Sequence, residues 1–134
     1  MGIRVLEAGP DRVRIEAPLA PNLNHRATAF GGSVAALAIL AGWALVHTRL
    51  EQEGRRARTV IQSSALEYAA PIGGAFTAVS EAPAEAAWER FTRTLSRRGR
   101  GRILVTVTVE AGGATAATFS GEYVAIAGDE PKRG

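Results

Sequence analysis

The sequence predicts an α+β fold in which a curved antiparallel sheet wraps around one long, apolar helix. The segment from Gly31 to about Glu53 has helical periodicity, but its first four turns have no polar face. Such a helix must be covered on several sides. Other segments alternate polar and apolar residues, as half-buried strands do. In a chain of 134 residues, which is the size of one domain, a curved sheet can provide that cover.

Five segments are predicted to be strands, because they alternate polar and apolar residues or lie between turn-forming residues: 12–17, 59–69, 75–80, 102–110 and 114–126. The second and third are close in sequence, which favours an antiparallel pair between them. Gly112 and Gly113 predict a hairpin turn between the last two strands. Gly121 predicts a bulge in the last strand.

Residues 83–98 form a second predicted helix, with Trp88, Phe91 and Leu95 on one apolar stripe. Gly99 is a natural stop for this helix. The predicted order is therefore strand, long helix, two strands, short helix and two strands. A curved antiparallel sheet around one apolar helix satisfies this order, and that architecture is the hot-dog fold.

We expect one domain over residues 1–134, with its core at about 12–126 and a flexible tail at 128–134. The start of the chain lacks the apolar stretch of a signal peptide. The longest apolar run, 30–46, is shorter than the roughly 20 residues of a membrane-spanning helix. These features predict a cytoplasmic protein without a membrane partner.

Composition argues against several kinds of site. The chain has no cysteine and only two histidines, which lie far apart, so we expect no disulfide, thiolate nucleophile or metal site. Its formal charge of +3 comes mainly from two arginine clusters, at 55–58 and 97–102. We interpret these clusters as solvated surface, with a phosphate-binding role as the alternative. Such a mild basic excess does not indicate a nucleic-acid partner.

A polar segment leads into the long helix and is the candidate site. The residues predicted to contact substrate are Asn22, Thr28, Phe30, Gly31, Gly32 and Ser33. Two glycines in a first helical turn let a ligand approach the backbone, and the unpaired amides of a helix start stabilise a developing oxyanion. A thioester carbonyl is one such ligand. The asparagines and glycines could also serve only loop structure and close packing.

Several motifs in and after this segment are distinctive: Pro-Asn-x-Asn-His at 21–25, Thr-Ala-Phe-Gly-Gly-Ser at 28–33, Leu-Ala-Gly-Trp at 40–43, and Glu67-Tyr68 with Pro71. Together they resemble the thioesterase-like domain at the C-terminus of certain bacterial acetyltransferase fusion proteins. The resemblance extends over about 12–126, and because no acetyltransferase half is present we expect a stand-alone domain. It implies a hot-dog fold and a homodimer, or a dimer of dimers, with sites at the subunit interface. It also implies an acyl-CoA or acyl-carrier thioester as substrate, with coenzyme A as part of the substrate and no other cofactor.

The sequence departs from the wider hot-dog thioesterases at one point of their pattern. In those enzymes a His-Gly-Gly loop is commonly followed, two helical turns later, by a carboxylate that activates water or attacks the thioester. Here Phe30 replaces the histidine, and Ile39 stands where the carboxylate is expected. No acidic residue occurs between Glu16 and Glu51. A replacement must therefore come from the loop or from a neighbouring strand.

The candidate catalytic residues are Asn24, His25 and Ser64. His25 is a candidate general base, Asn24 could orient water, and Ser64 could assist. Other residues that could assist are Ser33, Ser63 and Glu67. A single histidine and loop asparagines could also serve only to satisfy backbone groups.

Three functions remain open on the sequence alone. The one we favour is hydrolysis of an acyl-CoA or acyl-carrier thioester. The alternative is a non-catalytic module that binds acyl-CoA or another small ligand, because the expected carboxylate is absent. The third is hydration or dehydration of an acyl thioester. This chemistry usually requires a histidine with a carboxylate, whereas the candidate segment contains His25 without a carboxylate.

Overall fold

The computed structural model describes residues 2–18 and 31–128. In this part of the chain the elements follow one another as β1 (Arg4–Ala8), β2 (Arg12–Ala17), α1 (Gly31–Gln52), β3 (Ala57–Tyr68), β4 (Phe76–Glu81), α2 (Glu85–Arg98), β5 (Arg100–Ala111) and β6 (Ala114–Ala127). The strands form one antiparallel sheet in the order β1-β2-β4-β5-β6-β3. The predicted α+β architecture, a sheet packed around a long helix, is confirmed.

The predicted pair between the strands at 59–69 and 75–80 is wrong. β3 pairs with β6 at one edge of the sheet, whereas β4 lies between β2 and β5. Strand length gives the physical reason. β3 has 12 residues and β6 has 14, whereas β4 has only six. A long strand satisfies more of its backbone groups against a long partner.

The sequence pattern does not reveal β1. All five residues of this strand are exposed, so it has no buried face and no alternation. It is held by an antiparallel ladder with β2, from Arg4 opposite Glu16 to Ala8 opposite Val13. The 2.9 Å ion pair between Arg4 and Glu16 is exposed and is worth at most about 1 kcal/mol. The backbone ladder is therefore what holds β1.

The helix α1 packs against the sheet and is buried along most of its length. Its buried apolar residues are Val34, Leu37, Ala38, Ala41, Leu45, Val46 and Leu50. Alternate residues of β5 join the same core: Ile103, Val105, Val107 and Val109. By length and hydropathy, Gly32–Gln52 is also apolar enough to cross a membrane. Its packing, however, is that of a core helix.

Tyr123 of β6 fixes where α1 lies against the sheet. Its hydroxyl donates a 2.7 Å hydrogen bond to the carbonyl of Ile39 and accepts one from the backbone N–H of Trp43. The carbonyl of Ile39 and the N–H of Trp43 are i and i+4 partners, which a regular α-helix joins by a hydrogen bond. Gly42 leaves room for the phenol, because a Cβ there would overlap the hydroxyl oxygen and lie 2.8 Å from Cζ. The position of α1 along β6 is thus set by contact with the helix backbone.

The second helix, α2, covers the start of β5 and the C-terminal end of α1. Its predicted apolar stripe is buried: Trp88, Phe91 and Leu95. The indole N–H of Trp88 donates a 2.7 Å hydrogen bond to Glu53. The guanidinium of Arg49 lies 4.7 Å from the centroid of the Trp88 ring, within the range of a cation–π contact. Polar groups in the last turn of α1 and just after it therefore help to hold α2, in addition to the apolar packing.

Two predicted reversals of the chain are confirmed. Gly99 ends α2 with a left-handed conformation (φ 73°), and its N–H donates to the carbonyl of Leu95. Gly112 and Gly113 join β5 to β6 with φ values of 60° and 79°. A two-residue hairpin turn with two positive φ angles favours glycine at both positions.

The predicted bulge at Gly121 is wrong. This glycine stays in register with Val105 on one side and Ser64 on the other. It serves packing instead, because a Cβ there would lie 2.8 Å from the ring of Phe119. One bulge of the β3–β6 pair falls at Gln62, where the register shifts.

Candidate active site

Five of the predicted site residues lie outside the described residues: Asn22, Asn24, His25, Thr28 and Phe30. Their roles therefore stay predictions. The described members of the predicted site belong to two elements, the first turn of α1 and the strand β3. They are Gly31, Gly32, Ser33 and Ser64.

The helix α1 begins at Gly31, as predicted. Gly32 is exposed and Ser33 is half-buried. The first turn contains no acidic residue, so no carboxylate within it offsets the partial positive charge of the helix start. This end of α1 is therefore suited to an anion, or to a carbonyl oxygen that gains negative charge.

Ser64 lies on the side of the sheet that faces α1, and it is exposed. The bulge at Gln62 produces this placement, because it sets two residues of β3 opposite one residue of β6. Ser63 consequently faces the outer side, where its hydroxyl donates a 3.1 Å hydrogen bond to Glu122. The next residue, Ser64, is turned to the inner side.

The helix α1 and the strand β3 run in opposite directions and are tied at one point. There the indole N–H of Trp43 donates a 2.9 Å hydrogen bond to the carbonyl of Thr59. Backward along α1, the chain from Trp43 to Ser33 covers roughly 15 Å. Forward along β3, the chain from Thr59 to Ser64 covers roughly 17 Å. The helix start and Ser64 therefore lie toward the same end of the molecule.

A shallow apolar groove runs between α1 and β3, and we call it the edge groove. Its volume is about 500 Å³. Its walls are Ala36, Ile39, Leu40, Trp43, Thr59, Val60, Ile61 and Tyr123. None of these residues is charged, and Val60 is 41% exposed. A concave apolar surface of this kind suits an apolar ligand or another protein surface.

The described walls of the edge groove contain no base. Ile39, at the position of the expected carboxylate, is half-buried among them. Burial raises the pKa of the Tyr123 hydroxyl well above its ordinary value, and the hydrogen bond from Trp43 offsets only part of this effect. A neutral phenol that donates its proton to a carbonyl does not take a proton from water. The groove can thus hold a substrate, but its described residues do not activate water.

A polar pocket of about 250 Å³ adjoins the edge groove and shares Trp43 and Thr59 with it. We call it the arginine pocket, and its other walls are His47, Glu51, Arg55, Arg56, Ala57, Arg58 and Gly128. The rings of Trp43 and His47 are stacked, with centroids 4.7 Å apart and planes 8° from parallel. An aromatic pair and three arginine residues therefore line the end of the groove that lies away from the helix start.

A larger cavity of about 830 Å³ lies between α2 and the outer face of β5. Arg90 and Thr94 line it from the helix, and Leu104 and Thr106 line it from the strand. None of the predicted site residues that the structure describes is among its walls. Across residues 2–18 and 31–128, no three His, Asp or Glu side chains are grouped so that they could hold a metal ion.

A family model matches nearly the whole chain. The model, described as "Putative thioesterase (yiiD_Cterm)", matches residues 1–127. The chain belongs to this thioesterase family. The resemblance seen in the motifs around the helix start is thereby confirmed.

Solved structures share the fold of this thioesterase-family chain, and the hot-dog prediction is confirmed. A protein of unknown function from Chlorobaculum tepidum TLS has a TM-score of 0.91 at 27% identity, over 96% of this chain and 84% of that one. A "putative thioesterase" from Shewanella oneidensis has a TM-score of 0.82 at 26% identity, over 94% and 85%. A "probable thioesterase" of unknown function from Pseudomonas aeruginosa has a TM-score of 0.83 at 23% identity, over 95% and 84%.

In this thioesterase-family chain, the sequence indicated the helix start but not the edge groove or the arginine pocket. A signal for the pocket was present, since Trp43 and His47 are four residues apart and share one face of a helix. A signal for the groove was the apolar pair Val60 and Ile61 within a strand that is otherwise largely polar. Each signal lies on one wall of its cavity. Neither identifies the residues of the facing wall, which come from another part of the chain.

Proposed function

We propose that this member of the thioesterase family hydrolyses an acyl-CoA or acyl-carrier thioester at the start of α1. The observation that carries the proposal is the helix start itself. Gly31, Gly32 and Ser33 open a long apolar helix whose first turn has no acidic residue. Free amides at such a position stabilise the negative charge that develops on a thioester oxygen. The edge groove beside α1 adds an apolar surface for the substrate.

Hydrolysis at this position requires an activated water. The water oxygen attacks the thioester carbon, the C–S bond breaks, and a carboxylic acid and a thiol leave. One proton passes from the water to a base and then to the sulfur. We propose His25 as this base, Asn24 as the group that orients the water, and Ser64 as a further hydrogen-bonding group. The proposed substrate contacts before the helix are Asn22, Thr28 and Phe30.

A second copy of the chain is proposed to complete the site. The outer edge of β3 has no partner strand among the described residues, although β3 is 12 residues long. Unpaired strand edges of this kind recruit further strands. Two copies paired through β3 about a two-fold axis would extend the sheet and cover Val60 and the edge groove. The proposed assembly is therefore a homodimer, or a dimer of dimers. Its proposed location is the cytoplasm.

Thiol release tests the proposal directly. The chain has no cysteine, so a thiol reagent reports only the product released from acyl-CoAs of increasing length or from an acyl carrier. We expect release above the buffer rate, and a loss of roughly a hundredfold or more in Asn24→Ala and in His25→Ala. Unchanged rates in both variants would refute the assignment of these residues.

Ser64 has a matched control on the neighbouring position of β3. Ser64→Ala should lower the rate of thiol release, because it removes a hydroxyl from the side of the sheet that faces α1. Ser63→Ala removes the same group from the outer side, where it bonds to Glu122, and should leave the rate unchanged. Equal effects of the two substitutions would exclude a role for Ser64 at the site.

One observation favours a second candidate function, a non-catalytic module that binds acyl-CoA or another small ligand. The described walls of the edge groove contain no carboxylate, and Ile39 stands where one is expected. Binding of acyl-CoA without thiol release from any thioester tested would favour this candidate. Turnover that depends on His25 would exclude it.

A further inference from the structure

We infer that the cavity between α2 and β5 binds an extended, acidic segment of another protein, which adds to the sheet beside β5. We call this cavity the β5 groove. Its volume is about 830 Å³, and it shares no wall with the edge groove or the arginine pocket. The inference goes beyond the proposed function, because it concerns a partner at a separate surface and does not depend on whether a thioester is hydrolysed.

On the side of β4, the strand β5 is only partly paired. The ladder between the two strands ends at Ser80 opposite Val107, whereas β5 begins at Arg100. Residues 100–106 therefore have no partner strand on this side among the described residues. Alternate residues of such a strand direct their N–H and C=O groups to its free side. Extended segments of partner proteins bind to sheet edges of this kind.

Pro83 explains why β4 stops short of this stretch. Proline has no N–H for a ladder, and β4 ends two residues before it, at Glu81. The chain then turns into α2, which begins at Glu85. The walls that this connection and the first turn of α2 give to the groove are small: Ala82, Pro83, Ala84 and Ala87. Space in line with β4 is therefore left unfilled.

The β5 groove follows the edge of β5. Five consecutive residues, 102–106, line it, although their side chains alternate between the two faces of the sheet. Only the edge of the strand is common to both sets. The helix α2 packs on the inner face instead, since a Cβ at Gly101 would lie 2.8 Å from the carbonyl oxygen of Phe91. From 102 to 106 the edge extends roughly 14 Å, which suits about five residues of extended chain.

The exposed face of α2 favours an acidic occupant. Arg90, Arg93 and Arg97 are exposed and lie at i, i+3 and i+7, opposite the buried stripe of the helix. None of the three pairs with a carboxylate within residues 2–18 and 31–128. Like charges at such spacings destabilise a helix slightly, so the stripe does not serve the helix itself. An acidic segment would offset this repulsion.

Arg90 is the cation of the groove walls that has no partner among the described residues. Arg12 pairs with Glu81 at 3.3 Å, and Arg102 lies 3.5 Å from a glutamate of β6. Glu110, the other carboxylate of the walls, lies in the part of β5 that is paired with β4. An acidic side chain placed beside α2 therefore meets an unpaired cation.

Fluorescence anisotropy of the full chain with a labelled peptide that alternates valine and glutamate over eight residues tests the inference. We expect this peptide to bind about tenfold or more tightly than the same peptide with lysine in place of glutamate. Methylation of two successive backbone nitrogens at its centre should weaken binding about tenfold or more, because one of the two N–H groups faces β5 in any register.

Substitutions in the walls test the location. Arg90→Glu reverses a charge and Ala87→Trp fills the groove, and each should weaken binding of the glutamate peptide about tenfold or more. Arg97→Glu makes the same charge change on the same face of α2 but outside the walls, and should weaken it no more than about threefold. Thermal unfolding checks that each variant is folded. If Ala87→Trp does not fold, the exposed Arg90→Glu decides alone.

Absence of binding, equal affinity for the glutamate and lysine peptides, or equal affinity of the wild type and Arg90→Glu would overturn the inference. Unweakened binding of the methylated peptide would also overturn it, since charge would then act without strand addition. A change in the sedimentation of Ala87→Trp without peptide would assign the groove to a second copy of the chain instead. Thiol release should be the same in Arg90→Glu as in the wild type, so failure of the proposed function is measured separately.

Discussion

Replacement of Gly42 by alanine probes the contact that positions α1 on the sheet. A Cβ at this position would overlap the hydroxyl oxygen of Tyr123 and lie 2.8 and 3.0 Å from two carbons of its ring. The phenol cannot swing aside, because it is buried and bonded to Ile39. Overpacking of this severity costs about 3 kcal/mol. The higher helix propensity of alanine offsets about 1 kcal/mol, so the expected net loss is about 2 kcal/mol.

Urea unfolding at one fixed protein concentration measures this loss in the free energy of unfolding. Tyr123→Phe removes the overlapped oxygen together with its hydrogen bond to Ile39, so it should cost only about 1 kcal/mol. The loss in the double variant should be about 1 kcal/mol smaller than the sum of the losses in the two single variants. Gly73→Ala, which meets no heavy atom within 4 Å, is the control and should be neutral. A Gly42→Ala chain as stable as the wild type, or strict additivity, would refute the contact.

Three further predictions concern pH, helix packing and assembly. Burial raises the pKa of Tyr123 above its ordinary value of 10.0. The stability that the neutral phenol contributes should therefore be complete below pH 10.0 and should fall as the pH rises beyond it. In urea unfolding at several alkaline pH values, the free energy of unfolding should fall less steeply with pH in Tyr123→Phe than in the wild type. Trp88→Phe deletes the N–H that bonds to Glu53 and should lower the free energy of unfolding by about 2 kcal/mol, and an unchanged urea midpoint would contradict this. Val60→Lys, at the edge of β3, should convert the proposed dimer to a monomer in sedimentation velocity, whereas Leu104→Lys, 59% exposed on β5, should not. Identical sedimentation of the two variants would argue against the β3 interface.

Much of the fold could be predicted because burial imposes a local pattern on the sequence. The alternation of Val13 and Ile15 with charged neighbours revealed β2, and the all-round apolar character of α1 revealed the helix that the sheet must cover. The pairing of β3 with β6 could not be predicted in this way, since it depends on matching strand lengths that are far apart in the chain. The prediction of a bulge at Gly121 is wrong for a different reason. A glycine that is required by the close rings of Phe119 and Tyr123 cannot be distinguished in the sequence from a glycine that marks a bulge.

The candidate site was predictable where it is built from consecutive residues. Gly31 to Ser33 form a helix start whose chemistry follows from the backbone alone. The edge groove and the arginine pocket were not predictable, because each has one wall on α1 and another on or just before β3. The orientation of Ser64 was equally hidden, since the bulge at Gln62 reverses the alternation that a regular strand would have.

A crystal structure with an acyl-CoA analogue that has a methylene group in place of the sulfur tests the central claim most directly. Such a ligand keeps the carbonyl group but cannot be hydrolysed. We predict that its carbonyl oxygen lies within about 3 Å of a first-turn amide of α1, at Gly32 or Ser33. A carbonyl turned away from the helix start, or a ligand seated in the cavity between α2 and β5, would contradict it.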